Sequence, residues 1–221
     1  TMWAVTAGVT AYSAKKLKES GDDPKVPLMG VLGAFIFAAQ MINISIPATG
    51  SSGHIGGGMI LAILLGPYAA FIVLASVLSV QALFFADGGL LALGCNVFNL
   101  AFFPCFLAYP LIYRPIAGRN PSNLKILAGS VVSVVAALQL GAFSVVLETL
   151  ASGITDLPFK TFLLLMQPIH LAIGLVEGVI TAAVVSYVWK ARPEVIEAVQ
   201  GVAPSGAVSL KKVIVFFVAA A

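Results

Sequence analysis

Long apolar segments separated by short charged stretches dominate this sequence and leave few folds open to it. Of its 221 residues, 60% are hydrophobic and only 10% are charged, whereas soluble domains carry roughly 25% charged residues. A bilayer core about 30 Å thick needs about 20 apolar residues for each helical crossing, which leaves room here for about six or seven crossings. We therefore expect an all-α polytopic membrane protein.

Charge and cysteine content narrow the class further. The net charge is only +3, and the basic residues cluster in loops instead of forming the stripe that nucleic-acid binding needs. We therefore expect no nucleic-acid partner. Cys95 and Cys105 lie inside one apolar segment, where cysteine usually behaves as a small buried hydrophobe, so a disulfide is not expected.

Apolar runs bounded by charges or by Gly and Pro predict the helices. The predicted helices span residues 1–16, 26–46, 67–86, 89–113, 123–150 and 159–190, and another begins near residue 209. Residues 55–66 form a shorter apolar segment that Gly66-Pro67 closes. Whether this segment crosses the membrane by itself decides the topology.

The distribution of Lys and Arg favours a separate short crossing. If residues 55–86 made one crossing, the twelve Lys and Arg would divide seven to five between the two sides. If 55–66 crosses alone, eleven lie on one side and only Lys160 on the other, which is a clear positive-inside pattern. The eleven are Lys15, Lys16, Lys18, Lys25, Arg114, Arg119, Lys125, Lys190, Arg192, Lys211 and Lys212.

This topology predicts a bundle of about seven transmembrane helices that includes one short or broken helix. The loops 15–25, 114–125 and 190–212 would be cytoplasmic, and residues 47–54 and 151–158 would lie outside. Such a short segment should be shielded by neighbouring helices or end in a water-accessible cavity. Broken segments of this kind often lie at binding sites.

His54 is the best metal-ligand candidate in the chain. It lies in Thr-Gly-Ser-Ser-Gly-His-Ile-Gly-Gly-Gly, at the predicted outer mouth of the short helix, and the glycines allow close approach of the backbone. Neutral imidazole suits Ni, Co, Cu and Zn much better than Mg or Ca. The alternative is a loop histidine that merely caps the helix.

Three further ionisable residues lie at predicted membrane depth, where each needs a partner or a function. His170 and Glu177 are seven residues apart and share a helix face. They could support the metal ligand from behind or form a proton relay, but a structural pair is favoured. Glu148 is near the outer end of its helix, and a structural role is favoured for it as well.

Uncharged polar residues on the early helices and the outer loop are candidates to support His54. Amide groups on different helices usually hydrogen-bond for packing, although some of them can orient the histidine. The possible supporting residues are Asn43, Ser52, Gln81 and Asn96. Gln40 and Asn99 belong to the same set of amides.

No enzyme motif is present. The sequence has no His-Glu-x-x-His, no Gly-x-Ser-x-Gly and no phosphate-binding loop. Uphill transport would therefore draw on an ion gradient or on partner ATPases. Ala7-x-x-x-Ala11 is a small-x-x-x-small pattern that permits close helix contact.

Several motifs together resemble a known family. They are residues 29–43, the glycine-rich segment around His54, Leu65-Gly66-Pro67, residues 80–89 with Gly94-Cys95-Asn96, Leu147-Glu148, and His170-x-x-Ile-Gly-x-x-Glu-Gly. They resemble the nickel/cobalt-specific substrate-binding (S) component of energy-coupling-factor (ECF) transporters, the CbiM/NikM family. The resemblance covers nearly the whole chain.

The resemblance implies a seven-helix bundle that binds Ni(II) or Co(II) near its extracellular side. His54 matches the family's loop histidine. In the family the mature chain begins Met-His, and the terminal amine, a backbone amide nitrogen and that imidazole supply the other donors. A square-planar nitrogen set suits Ni(II). This sequence begins Thr1-Met2-Trp3, so we expect the N-terminal metal-binding segment to be missing.

The resemblance also implies partners and a domain division. A transmembrane coupling (T) protein and two cytoplasmic ATPases would supply the energy for import across the prokaryotic plasma membrane, with Ala7 and Ala11 contacting the coupling protein. Residues 1–195 would be the metal-binding domain, 196–208 a cytoplasmic linker, and 209–221 the start of a fused accessory membrane subunit. The rival hypothesis is a gradient-driven transporter with His170 and Glu177 as its relay.

Overall fold

The computed structural model describes residues 1–21, 25–118 and 120–201, and within them the chain is mostly helical. In chain order the elements are α1 (Met2–Ser20), α2 (Val26–Gln40), β1 (Asn43–Ile46), β2 (Ser51–His54), α3 (Gly58–Leu65), α4 (Pro67–Phe84), α5 (Leu93–Ala117), α6 (Asn123–Ser152), α7 (Phe159–Ala191) and α8 (Pro193–Gly201). The predicted helix beginning near residue 209 lies outside the described residues.

Local sequence signals account for most helix ends. α1 ends where Gly21 adopts a left-handed conformation with φ 66°, the usual glycine stop signal. α4 begins with Pro67 at its first position, where the missing N–H costs nothing. α6 begins after Ser122, whose side chain accepts a hydrogen bond from the Lys125 N–H.

Within the described residues, four helices are long and apolar enough to span a bilayer, namely α4, α5, α6 and α7. The middle of α5, residues Phe98–Tyr113, has π-helical hydrogen bonding and contains Pro104 and Pro110. Each proline lacks the N–H that would close a normal helical turn, which fits the wider turn here. The chain is thus a helical membrane protein.

The short helix α3 is enclosed by its neighbours, as the sequence predicts for such a segment. All eight of its residues are buried, and Gly58 packs so closely on α5 that an added Cβ would lie 2.4 Å from a Pro104 side-chain carbon. Gly66, with φ 88° and ψ 162°, separates α3 from α4. An apolar helix of this length can lie at membrane depth only inside such a shell.

The ends of several helices meet on one side of the bundle. Gly66, at the end of α3, faces Val199 of α8, and α8 follows directly on the C-terminal end of α7. Arg114 on α5 donates a hydrogen bond to the Gln200 carbonyl, also on α8, at 3.2 Å. The end of α3, the basic end of α5 and the end of α7 therefore share one face.

A β-hairpin interrupts the helical architecture, so the expectation of an all-helical chain is wrong at this point. The predicted helix 26–46 ends at Gln40, and Asn43–Ile46 pairs antiparallel with Ser51–His54. Positive φ angles at Ala48 (62°) and Gly50 (67°) form the turn. The alternating residues of Asn-Ile-Ser-Ile favour a strand over a helix.

Two predicted loops are also shorter than expected. α1 continues to Ser20, so residues 15–20 of the predicted loop 15–25 are helical. At the other end of the chain, Pro193–Gly201 forms α8, whose Ile196 and Val199 are buried. Residues 196–201 of the predicted linker 196–208 are therefore helical and packed, and the rest of it lies outside the described residues.

Replacing Gly57 should test how tightly the start of α3 is held. Gly57 has φ 74°, and an added Cβ would lie 2.6 Å from Ile36 Cδ1. We expect Gly57→Ala to lower stability by about 1–2 kcal/mol for the left-handed backbone and by a further 1–3 kcal/mol, roughly, for overpacking. Gly50→Ala is the control, because Gly50 has φ 67° and open space around it. In thermal unfolding experiments in detergent, the melting temperature of Gly57→Ala should be well below that of Gly50→Ala. Equal decreases in melting temperature would contradict the close packing of Gly57 on Ile36.

Candidate functional site

A wide cavity of about 1490 Å³ lies at the end of the bundle that carries the hairpin. We call it the outer cavity. Its walls come from the hairpin, the turn at 87–93, the first residues of α5, the end of α6 and the turn at 154–157. Seven of the ten predicted site residues line it: Asn43, Ser52, His54, Gln81, Asn96, Glu148 and His170.

His54 ends strand β2 and is half-buried in the cavity wall. Its Nδ1 lies 2.9 Å from the backbone oxygen of Ile55. Because a carbonyl oxygen can only accept, Nδ1 carries the proton in this contact and Nε2 keeps its lone pair. His54 therefore has one nitrogen free to bind a metal ion, and its ring orientation is set by its own backbone.

The glycines that follow His54 pass inward along α7. An added Cβ at Gly53 would lie 2.6 Å from Ile173 Cδ1, so the hairpin lies directly on this helix. One turn further along α7, Glu177 accepts the backbone N–H groups of Gly56 at 2.7 Å and Gly57 at 2.8 Å. The side chain of Glu177 is 2% exposed. A buried carboxylate needs such donors, and this one satisfies two amides just before α3.

Two glutamines hold the same segment from the other side. Gln40, the last residue of α2, donates to the Gly56 carbonyl at 2.8 Å, and Gln81 on α4 donates to Gln40 Oε1 at 2.9 Å. Both glutamines are buried. We call this set, with Gly56, Gly57 and Glu177, the glycine anchor. It fixes the backbone beneath His54 to three helices.

The other predicted residues in the cavity wall have partners of their own. His170 Nδ1 lies 2.8 Å from the Met166 carbonyl, so its Nε2 also keeps a lone pair. Glu148 accepts hydrogen bonds from Asn99 at 2.8 Å and from Ser144 at 3.3 Å. Asn96 donates to the Gly88 carbonyl at 2.8 Å and thereby braces the turn beside it.

Asn43 and Ser52 brace the hairpin itself. The Asn43 amide donates to the Ser52 hydroxyl at 3.2 Å across the two strands. Asn43 is also paired with His54 in the strand register. These two side chains therefore brace the strand that ends in His54. That they orient His54 toward a metal ion stays a prediction.

Three predicted site residues lie away from the outer cavity. Glu177 faces a small space of about 10 Å³ instead, and it is not in hydrogen-bond contact with His170 in the residues described. Ala7 and Ala11 are exposed on α1. In the part of the chain that the structure describes, no three His, Cys, Asp or Glu side chains are grouped closely enough to hold a metal ion.

Sequence reasoning missed Cys95 as a cavity residue. Cys95 and Glu148 both line the cavity, whereas Cys105 is fully buried. Both cysteines are free thiols. The apolar run around Cys95 gave no sign of this difference. Its place at the start of a helix, beside Asn96, is the one available signal.

The first residues of the chain pack beside the cavity wall. The backbone of Met2 and Trp3 lies against Gly94, where an added Cβ would be 2.8 Å from the Trp3 nitrogen. Trp3 Nε1 donates to the Leu91 carbonyl at 3.2 Å, and the buried Thr6 hydroxyl donates to the Gly94 carbonyl at 2.6 Å. Leu91 also lines the outer cavity, so α1 begins next to it.

Comparison with known proteins decides the family. A family model described as the cobalt uptake substrate-specific transmembrane region, CbiM, matches residues 1–195. The chain belongs to the CbiM family. It is accordingly a component of a metal transporter and not an enzyme, as the sequence predicts.

Members of the CbiM family with assigned names include both nickel and cobalt transport proteins. A provisionally named fused nickel transport protein of Archaeoglobus fulgidus is 41% identical over 195 residues, which are 88% of this chain and 63% of that protein. The cobalt transport protein CbiM of Sorangium cellulosum is 31% identical over 79% of this chain and 77% of its own length. The chain thus spans less than two thirds of the fused relative.

A solved structure shares the fold. The crystal structure of a truncated transition metal transporter superposes with a TM-score of 0.75 at 37% sequence identity, covering 86% of this chain and 92% of the other. The fold of this chain is therefore similar to that of a transition metal transporter.

The two native cysteines test whether the outer cavity is open to water. Cys95 lines it, while Cys105 is 0% exposed. We expect a small cationic methanethiosulfonate reagent to modify Cys95 and spare Cys105 in the purified protein, as measured by intact-mass spectrometry. Cys95→Ala should abolish the adduct. Labelling of Cys105 at a comparable rate would show that the bundle is more open than the structure indicates.

Proposed function

We propose that this chain is the substrate-binding membrane subunit of an ECF-type importer, which captures Ni(II) or Co(II) outside and delivers it to the cytoplasm with energy from partner ATPases. The observation that carries the proposal is the outer cavity, where His54 presents a free imidazole nitrogen on a fixed backbone. Membership of the CbiM family supports the choice of cation.

The donors around His54 suit a borderline divalent cation. Imidazole nitrogen is a good ligand for Ni(II) and Co(II) and a poor one for Mg and Ca. His54 and His170 both have an uncommitted Nε2 in the described structure. One or two imidazoles alone make a weak site, so further nitrogen donors are needed for tight binding.

A Met-His segment ahead of Thr1 would be placed to supply those donors. Met2 and Trp3 pack on Gly94, and Trp3 bonds to Leu91 of the cavity wall. Residues attached to Thr1 would start beside the outer cavity. The terminal amine, a backbone nitrogen and an imidazole from such a segment would join His54 in the nitrogen set that the family resemblance implies.

The fold supports a seven-crossing topology with α1 to α7 as the crossings. α3 leads from beneath His54 to Val199 on the opposite face, where Arg114 and the basic end of α7 also lie. That face would be cytoplasmic by the positive-inside rule, and the hairpin with its cavity would face outward. The short α3 would then be the additional crossing that the positive-inside distribution of Lys and Arg requires.

Partner contacts fit the exposed features of the chain. Ala7 and Ala11 are exposed on α1, and small residues permit close packing of a partner helix; we propose this face as the contact for the coupling protein. Residues 1–195 would form the metal-binding domain. The fused relative supports an accessory membrane subunit attached after it, beginning within 209–221.

The rival relay mechanism has little support. A proton relay needs groups that exchange protons through contact or water. His170 lines the outer cavity, whereas Glu177 is not among the lining residues and accepts two backbone amides. Glu177 is thus committed to holding the chain.

Nickel binding tests the proposed site. Isothermal titration would compare this chain with one extended by Met-His before Thr1, each with and without His54→Ala. We expect tight binding only in the extended chain, and we expect His54→Ala to abolish it, because one of four donors is then lost. Equal affinity of the extended chain with and without His54 would refute the site.

Transport assays separate the importer from its rival. We expect nickel uptake by cells expressing the chain only when the coupling protein and ATPases are present, and loss of uptake when the ATP-binding lysine of the ATPases is mutated. A gradient-driven carrier would move nickel without those partners and would stop when the proton gradient is dissipated. That second pattern would rule out the importer.

A further inference from the structure

We infer that the glycine anchor determines cation affinity: Glu177 and Gln40 act as positioning residues that hold His54 ready to bind. This inference deepens the proposed function and rests on it. Neither side chain lines the outer cavity. Glu177 would act through Gly56 and Gly57, and Gln40 through Gly56; both glycines follow His54 closely in the chain.

The glycine anchor consists of short hydrogen bonds that reach the same two residues from different helices. Three hydrogen bonds of 2.7–2.8 Å reach two consecutive glycines. They come from α2 and α7, which lie on different sides of the segment, and Gln81 of α4 holds Gln40 in place at 2.9 Å. Both backbone groups of Gly56, its N–H and its carbonyl, are thereby fixed.

The depth of Glu177 explains why the anchor is stiff. Glu177 is 2% exposed, and hydrogen bonds strengthen in a medium of low dielectric. Both of its carboxyl oxygens accept backbone N–H groups, and Gly57 directly precedes α3. The segment can therefore move only by giving up buried hydrogen bonds.

The stiffness of the anchor bears directly on His54. The Nδ1–H group of His54 donates a hydrogen bond to the carbonyl of Ile55, and Ile55 is covalently joined to Gly56. If Gly56 moves, both the position and the ring orientation of His54 change. Groups that orient a metal ligand without touching the metal typically affect affinity by about 10–100-fold.

The chain offers a matched control for a loss of packing alone. Gln139 on α6 donates to the Gln167 carbonyl of α7 at 2.9 Å, just as Gln40 donates to the Gly56 carbonyl at 2.8 Å. Gln40→Met removes this hydrogen bond together with the one that Gln40 Oε1 accepts from Gln81. Gln139→Met removes one side-chain-to-carbonyl hydrogen bond between α6 and α7. Only the first of these substitutions reaches the His54 segment.

The inference is tested by measuring the nickel affinity of three variants, Glu177→Gln, Gln40→Met and Gln139→Met, by isothermal titration. The variants are made in whichever chain binds nickel more tightly, the one with or the one without the Met-His extension. We expect at least tenfold weaker binding for Glu177→Gln and Gln40→Met, and a change within twofold for Gln139→Met. Hydrogen–deuterium exchange at residues 55–58 should be faster in the first two variants only.

The possible results distinguish a failure of this inference from a failure of the proposed function. Unchanged affinity in Gln40→Met, with His54→Ala still abolishing binding, would overturn the positioning role and leave the site intact. Because Gln40 and Glu177 reach the same glycine from different helices, Gln40→Met decides the matter if Glu177→Gln does not fold. Unchanged nickel binding in His54→Ala would instead refute the proposed function.

Discussion

The hydrogen bonds from Gly56 and Gly57 to the Glu177 carboxylate are the interaction on which the rest of the structure depends. They allow polar backbone to enter the helical bundle, where an unpaired amide would be costly. Once this segment is satisfied, α3 can begin inside the protein instead of at a membrane surface. The outer hairpin is thereby drawn against α7, and the cavity forms beside it.

Some of this arrangement could be predicted from residues alone. The glycines around His54 indicated a closely packed segment, and added Cβ atoms at Gly53 and Gly57 would indeed lie 2.6 Å from neighbouring side chains. The Lys and Arg count separated 55–66 from α4, and the structure shows that separation at Gly66. The hairpin could not be predicted in the same way. Asn43–Ile46 is only four residues long and adjoins an apolar helix, so its alternation was hidden in a longer hydrophobic run.

The partner of Glu177 was also beyond sequence reasoning. Its hydrogen bonds join residues 120 positions apart, and they end on backbone N–H groups, which every residue except proline possesses. Spacing pointed instead to His170 on the same helix face, yet the two side chains face different spaces. A glycine has no side chain that could indicate which group its backbone N–H contacts. Its presence indicates only that a larger residue would not fit at that position.

The most direct test of the account is the position of the bound cation. Anomalous diffraction at the nickel absorption edge, from crystals of the nickel-loaded protein, would locate it without assumptions about ligands. The account predicts one strong peak in the outer cavity, about 2 Å from His54 Nε2, the usual length of a metal–imidazole bond. A peak on Glu177 or Cys95, with none at His54, would contradict it.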